Sequence, residues 1–419
     1  METLKLKYKL SVLLFFLVGA GAIAQNLDGY LELAVENNPS LKAAHLKYEA
    51  ALDVAPQVGG LPDPTFNASA LGTTMSTFMG EQQASFELMQ MFPWFGTLEA
   101  RKEVANLKAE AQYLAYISAR EQLFLEVKTA YAKLYEAEKS IEFQRENLRI
   151  LETYYDLAMS KFKSGTSPMV NVVRVEIAQD AARTQLRLLE ESIPPLKLAF
   201  NLLLNREVGA NVSVQDTLEF HSVDLSESQL SFEDHPSLQQ LEKQQQSYES
   251  EKKVVQKEGL PKFGLGVGYT VYSKSSMAMP DMNGKDAIMP MLSVSLPIFR
   301  KKYKASRNEV ELMAQSIELE QQQQKNQFRS QFHQQQYEFN KANQLLELYG
   351  RQIKSSERAR SLLVSSFSNN TGDFEEILRM NQDILMYQIQ QLDALKSGFI
   401  AQSSMSYLLT SEYIDGQKK

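Results

Sequence analysis

The side chains of this sequence best suited to hold or sort a ligand are thioethers and carboxylates. Met277, Met279 and Met282 crowd into one short stretch, and Met75 and Met79 into another that reads as its counterpart. Thioethers are soft ligands that suit Cu(I) and Ag(I). Methionine is the soft ligand present in quantity, with 16 Met against 4 His and no Cys. It also fills irregular gaps, so ordinary packing explains the same residues. Asp373, Glu375 and Glu376 form the second group. Acids in the first turn of a helix complement its dipole. The residues 205 positions earlier are Pro168, Val170 and Asn171, so helix initiation at this place does not require acids. Other chemistries are excluded. His45, His221, His235 and His333 have no HxxxH or HxH spacing, which argues against a zinc centre. The lack of cysteine removes disulfides, thiolate sites, a Cys nucleophile and an acylated-cysteine anchor. There is no Gly-rich phosphate loop, no GxSxG elbow and no clustered His/Asp/Glu set. Neither an enzyme nor a cofactor is expected. With 44 Lys plus Arg against 51 Asp plus Glu, no nucleic-acid partner is expected either.

The elements that position these residues follow from patterning. The 419 residues are 43% hydrophobic and 23% charged, enough to bury a core. Lys5, Lys7 and Lys9 precede the apolar run Leu10 to Ala20, and Ala22-Ile23-Ala24 places small residues at −3 and −1. That is a secretory signal peptide over 1–24, too short for a membrane span. Its removal leaves 41 basic against 50 acidic residues. Beyond it no stretch approaches the roughly 20 apolar residues of a transmembrane helix.

Four motifs recur in order. Asn38-Pro39-Ser40-Leu41 returns as His235-Pro236-Ser237-Leu238. Gly60-Leu61-Pro62 returns as Gly259-Leu260-Pro261. Phe92-Pro93-Trp94-Phe95 returns as Leu296-Pro297-Ile298-Phe299, and Phe162 with Gly165-Thr166 returns as Phe367 with Asn370-Thr371. Their offsets drift only from 197 to 205 residues, the mark of a duplication with small insertions. The chain therefore divides into a first repeat, 25–233, and a second, 234–419.

Each repeat opens with a helical segment, about Leu27 to Val54 and Leu238 to Val255, that ends at Gly-Leu-Pro. Period-two runs follow. Phe263, Leu265, Val267, Tyr269 and Val271 alternate with Gly264, Gly266, Gly268 and Thr270, giving one bulky face and one nearly bare face. Strands are predicted over about 65–73, 82–92, 262–274 and 287–296, with loops over 74–81 and 275–286. Long helices are predicted over 97–163 and 300–368. Val127, Leu134, Ile141, Leu148, Tyr155 and Phe162 fall at steps of seven, with Ala130, Ala137, Leu151 and Ala158 three residues on and Gln144 breaking the set. Phe332, Phe339, Leu346, Ile353 and Phe367 repeat the step, with Arg360 as the exception. This is a coiled-coil seam, drawn twice. A helix of that length spans roughly 100 Å. Return helices are predicted over 168–204 and 373–413, the first kinked or broken at Pro194-Pro195. Residues 205–233 read as a connector. The glutamine-rich stretch Gln321–Gln324 with Gln331 and Gln334–Gln336 reads as a polar helix surface.

Strands of about ten residues have the length of a tilted bilayer-crossing strand, and a sheet in lipid must close because its backbone groups cannot stay unpaired. Four strands cannot close alone, since the smallest such barrels have about eight, so several copies must share a barrel. A soluble sheet packed on helices remains the alternative from the strands themselves.

The whole layout from about 27 to 413 resembles the TolC-type outer-membrane factor family, the exit ducts of tripartite efflux pumps and of type I protein secretion. The resemblance is carried by Asn38-Pro39, Gly60-Leu61-Pro62-Asp63-Pro64, Gln90-Met91-Phe92-Pro93-Trp94-Phe95-Gly96 and Phe162-x-x-Gly165-Thr166. It implies a mainly α fold with a small β part: a homotrimer forming a 12-stranded outer-membrane β-barrel, continued by a 12-helix periplasmic α-barrel. It implies a Gram-negative outer-membrane location, contact with outer-membrane lipid, and partnership with a periplasmic adaptor and an inner-membrane pump. Lipid-anchored members carry an amino-terminal Cys; without one, this chain is expected to be held by its barrel alone. The turns at Gly165, Thr166 and Ser167, and at Asn370, Thr371 and Gly372, would be the tips that meet the adaptor. Asp373, Glu375 and Glu376 would ring the channel constriction, with Arg379 standing where some relatives have a second acid. The Pro-x-x-Gly junction at Phe92 to Gly96 is similar to that of heavy-metal efflux members, so metal cations join drugs and proteins as candidate cargo, with Met277, Met279 and Met282 as candidate ligands. A poreless periplasmic coiled-coil adaptor or scaffold is the alternative function.

Overall fold

The computed structural model describes residues 26–214, 217–221, 230–369 and 371–409. The expected signal peptide and Asn370 lie outside the described residues. Element order is α1 (Leu27–Asn37), α2 (Pro39–Leu52), α3 (Val54–Gly59), β1 (Thr65–Thr77), β2 (Gly80–Phe92), α4 (Thr97–Lys163), α5 (Met169–Leu203), α6 (Pro236–Glu258), β3 (Lys262–Ser273), β4 (Ala287–Ser295), α7 (Arg300–Ser368) and α8 (Phe374–Leu409).

Several expectations need correction. The opening helix is not continuous to Val54. Pro39 forces Asn38 out of the helical region, to φ −62° and ψ 121°. Asn38 then caps α2, its Oδ1 accepting from Ser40 N at 2.9 Å and Leu41 N at 3.1 Å. The region 74–81 is not a loop. The β-favouring Thr-rich segment carries β1 to Thr77, so Met75 is a strand residue paired with Gln82 across a register shift. Pro194 and Pro195 do not break α5, which runs unbroken to Leu203. Its ends are anchored by buried Val172, Val175, Phe200 and Asn201, and tertiary packing of this kind overrides local propensity.

The chain divides into two compact units that do not follow the repeat boundary. The first takes the described residues of 1–42, 119–232 and 328–419. One of its cores is aromatic: the Phe200 ring meets Tyr30 edge-on at 5.0 Å, and Tyr131 lies 6.3 Å from both. The seam on α4 begins as expected, with Val127, Leu134 and Ile141 buried. A straight helix drifts about 20° per heptad relative to a strict seven-residue step. Burial accordingly passes to Gln144, Leu151 and Ala158, and Phe162 ends 41% exposed. Its counterpart Phe367 stays buried because it packs on Phe374 at 4.9 Å. The two residues that break the seam are polar contacts. Gln144 donates to Ala182 O at 3.1 Å. Arg360 donates to Asn381 Oδ1 at 3.2 Å, and Asn381 donates to Asn147 Oδ1 at 2.7 Å. The connector packs by Leu218 and by Phe220, whose ring meets Phe339 at 5.2 Å.

The second unit takes 43–118 and 233–327. In it α6 lies along the start of α4, burying Ala100, Val104 and Val254. Ion pairs Arg101–Glu258, Lys108–Glu251 and Lys243–Glu110 flank that contact. The sheet has order β1-β2-β3-β4, antiparallel throughout, so β1 and β4 are edges. Its register places Phe66, Phe86, Leu88, Leu265, Val267, Tyr269, Ile288 and Leu292 on one face. That face is open: Phe66 is 63% exposed, Leu265 58% and Leu292 72%. The other face carries Asn67, Ser69, Ser85, Glu87, Thr270 and Ser293 around the glycines of β3.

Candidate functional site

The two helical hairpins of the first unit end in one shared core. Leu151, Tyr154 and Ala158 of α4, Val172 and Val175 of α5, Phe367 of α7, and Phe374, Ile377 and Leu378 of α8 are buried together. This core fixes the two turns side by side, and Lys161 Nζ donates across to Ser368 O at 2.7 Å.

The first turn closes as a Schellman motif. Gly165 N donates to Phe162 O at 2.9 Å, and Thr166 N to Lys161 O at 2.9 Å. Gly165 sits at φ +72°, the left-handed region that a Cβ penalises. Thr166 Oγ1 also donates to Lys161 O, and Ser167 is buried, accepting from Asn171 Nδ2 at 3.0 Å. The second turn repeats the outer bond. Thr371 N and Thr371 Oγ1 both donate to Ser366 O at 3.0 Å. Gly372 is not the counterpart of Gly165. Its place is set by close approach, since a Cβ there would lie 2.9 Å from Phe367 N.

The three acids differ in circumstance. Asp373 Oδ1 accepts from Glu375 N at 2.9 Å and so caps α8. Glu375 pairs with Arg174 of α5 at 2.8 Å, both side chains well exposed. Glu376 is exposed, and no ion pair or side-chain hydrogen bond engages it among the described residues. Sequence reasoning missed Arg174. Its signal was available, because Arg174 and Arg379 are 205 residues apart, the same offset that relates the seams.

The expected thioether ligands sit elsewhere, in the second unit. Met277, Met279 and Met282 are 74%, 61% and 46% exposed on the β3–β4 connection. That connection is tied to the β1–β2 turn through Met279 N to Phe78 O at 3.0 Å and Gly284 N to Met79 O at 2.8 Å. Among the described residues no three His, Cys, Asp or Glu side chains are grouped to hold a metal. No described helix is long and apolar enough to cross a membrane.

These features can be set beside known proteins. No curated protein is significantly similar in sequence. Solved outer-membrane proteins are similar in fold. CusC, whose structures concern transmembrane channel formation, superposes with a TM-score of 0.77 at 17% identity, covering 92% of each chain. The outer membrane protein VceC of Vibrio cholerae gives 0.73 at 15% identity, over 91% of this chain and 95% of that one. The open MtrE outer membrane channel of Neisseria gonorrhoeae gives 0.73 at 16%, over 92% and 89%. The family model described as outer membrane efflux protein matches residues 30–194, from the Tyr30 core through the first strand pair and hairpin. Residues 30–194 are thus similar to the outer membrane efflux protein family, and the chain as a whole carries the fold of solved outer-membrane channels.

Proposed function

We propose that the protein is a passive outer-membrane duct of an efflux system, working as a homotrimer. The observation that carries this reading is the sheet. Its two edge strands have no partner among the described residues, and one face is predominantly apolar and open. In water both features would drive aggregation. In lipid the apolar face is solvated, but unpaired edges cost several kcal/mol per group, so β1 must pair with β4 of a second copy. Three copies of four strands make a 12-stranded barrel, with the polar face lining the lumen. The hairpins then extend the lumen into the periplasm, and their turns meet a periplasmic adaptor coupled to an inner-membrane pump. No site for nucleotide or cofactor is part of this reading; the free energy of transport comes from the pump.

At the turns, Gly165, Thr166, Ser167, Thr371 and Gly372 present the adaptor surface, with Asn370 between them in sequence. The nearby acids form a cation-favouring constriction. The pairing above makes this ring weaker than three acids per chain would suggest. Arg174 offsets Glu375, Asp373 is engaged as a cap, and Glu376 supplies the uncompensated charge. The testing experiment is purification from the outer-membrane fraction followed by planar-bilayer recording. Heat-modifiable trimers with cation-selective conductance support the reading. A soluble monomer with no conductance refutes it and favours a poreless periplasmic scaffold.

A further inference from the structure

The bare face of β3 is not empty. Register places Met89 opposite Gly266 and Met91 opposite Gly264, with Met291 and Ser293 on the far side of the same glycines. The thioethers of β2 lean into the space. A Cβ on Gly264 would lie 2.5 Å from Met91 Sδ and 3.1 Å from Met89 Sδ. The two sulfurs are therefore no more than 5.6 Å apart, over one glycine. A Cβ on Gly266 would likewise meet Met89 Sδ at 3.1 Å. One strand further along, Met289 Cε reaches within 3.8 Å of the Cβ position of Gly268.

Packing alone is a poor account of this arrangement. Glycine inside a strand weakens it. At Gly266 the close approach of Leu88 O, 2.8 Å from a Cβ there, accounts for the glycine, whereas at Gly264 the nearest atom to a Cβ is Met91 Sδ. The rest of this face is polar, with Ser69 and Ser85 sharing a hydrogen bond at 2.8 Å and Glu87 opposite Gly268. What Gly264 does is leave room for two sulfurs on flexible stems to converge. Two thioethers, with no cysteine or histidine beside them on this face, discriminate sharply for soft monovalent ions over Zn(II) or Mg(II).

We propose that Met89 and Met91 form a binding site for a soft monovalent cation, Cu(I) or Ag(I), on the inner wall of the barrel, with Met289 and Met291 of β4 within the same surface. The location on the lumen side rests on the duct reading; the convergence of the sulfurs does not. The site makes the wall a place of brief residence for such ions on their way out. It lies on the sheet rather than on the exposed connection that holds Met277, Met279 and Met282.

The test uses the purified full-length trimer and Ag(I), with bound silver measured by mass spectrometry after dialysis and Zn(II) as the comparison ion. About one silver ion per chain is expected, with no retained zinc. Met89→Leu/Met91→Leu keeps the side-chain volume and should abolish silver retention, while Met277→Leu/Met279→Leu/Met282→Leu should not. Gly264→Ala keeps both sulfurs but displaces Met91 Sδ, and should weaken affinity about tenfold, as loss of supporting geometry does in metal sites. Silver retained by the Met89→Leu/Met91→Leu protein, or lost from the connection variant, overturns the proposal. Conductance is recorded on the same samples. A conducting trimer that binds no silver sinks this site alone. A silver-binding protein without conductance sinks the duct and leaves the thioether site standing.

Discussion

His235 makes the stability of the protein fall in mild acid, and replacing it by Asn should remove that dependence. His235 is fully buried and caps α6, its Nδ1 accepting from Ser237 N at 3.2 Å. Accepting at Nδ1 places the ring proton on Nε2. Burial pushes the imidazole pKa down from 6.5 to about 4. Between those values the unfolded chain binds a proton that the folded chain refuses, so stability rises with pH across this window and falls as pH drops through it. That depression costs about 3 kcal/mol per chain by pH 4, with about 2 kcal/mol already lost at pH 5. Protonation at Nδ1 also removes the acceptor that caps the helix. The first repeat has Asn38 at the equivalent place, capping α2 without a titrating group. His235→Asn therefore keeps a cap of high rank and abolishes the titration. The assay is unfolding in detergent followed by helical circular dichroism, for both proteins, from pH 7.5 to pH 4. The variant should differ from the native protein by a fixed offset at pH 7.5 and gain on it by about 3 kcal/mol at pH 4. A difference that does not change with pH refutes the reasoning.

Three further outcomes are expected. Gly165→Ala forces a Cβ into the left-handed region but meets nothing within 4 Å, costing about 1 kcal/mol. Gly372→Ala should cost more, because backbone rather than a mobile side chain lies 2.9 Å from the new Cβ; equal melting temperatures for the two variants would contradict this. Asn381→Leu strands the buried Asn147 carbonyl oxygen and should cost about 1–3 kcal/mol, most of it recovered in Asn147→Leu/Asn381→Leu; a double variant worse than the sum of the singles would count against the linked pair. In bilayer recordings Glu376→Gln should lower cation selectivity and Arg174→Gln should raise it by releasing Glu375; unchanged reversal potentials in both would remove the acids from the constriction.

Much of the fold was legible because its signals are long. A helix of 67 residues without Gly or Pro, and a strand alternating bulky residues with glycine, state their periods many times over. What the sequence hid depends on contacts between distant segments. Pro194-Pro195 reads as a break, yet buried residues on both sides hold the helix together. Gly372 reads as the hinge of its turn, whereas the bond from Thr371 to Ser366, the counterpart of that from Thr166 to Lys161, closes the turn before Gly372 is reached. Gln144 and Arg360 look like flaws in a seam and are its polar contacts. The site was less legible still. The acids stood out by type, but their unequal standing depends on Arg174, about 200 residues away. Met89 and Met91 gave a faint signal, two residues apart on a predicted strand. Their convergence needed the register against β3, which no local pattern supplies.

If the protein is the trimeric duct proposed above, the repeat offset bears on how that duct would open. In a trimer of duplicated chains, the relation between the two repeats of one subunit recurs, approximately, between the second repeat of that subunit and the first repeat of the next. Within a subunit Arg174 of α5 pairs with Glu375 of α8. The offset of 205 maps Arg174 onto Arg379 and Glu375 onto Val170. At each subunit boundary Arg379 should therefore face Val170, an apolar residue that is 50% exposed in the single chain. The ring of hairpins then alternates between ion-paired joints inside subunits and unpaired joints between them, and opening should begin at the unpaired ones. Val170→Glu would supply the missing partner. An exposed pair of this kind contributes about 0.2–1 kcal/mol, and three per trimer act on one opening equilibrium. The expected result is a lower open probability in bilayers, relieved by adding Arg379→Gln and weakened by high salt. If Val170→Glu leaves gating unchanged, or if Arg379→Gln fails to reverse its effect, the equivalence of the two kinds of joint is wrong.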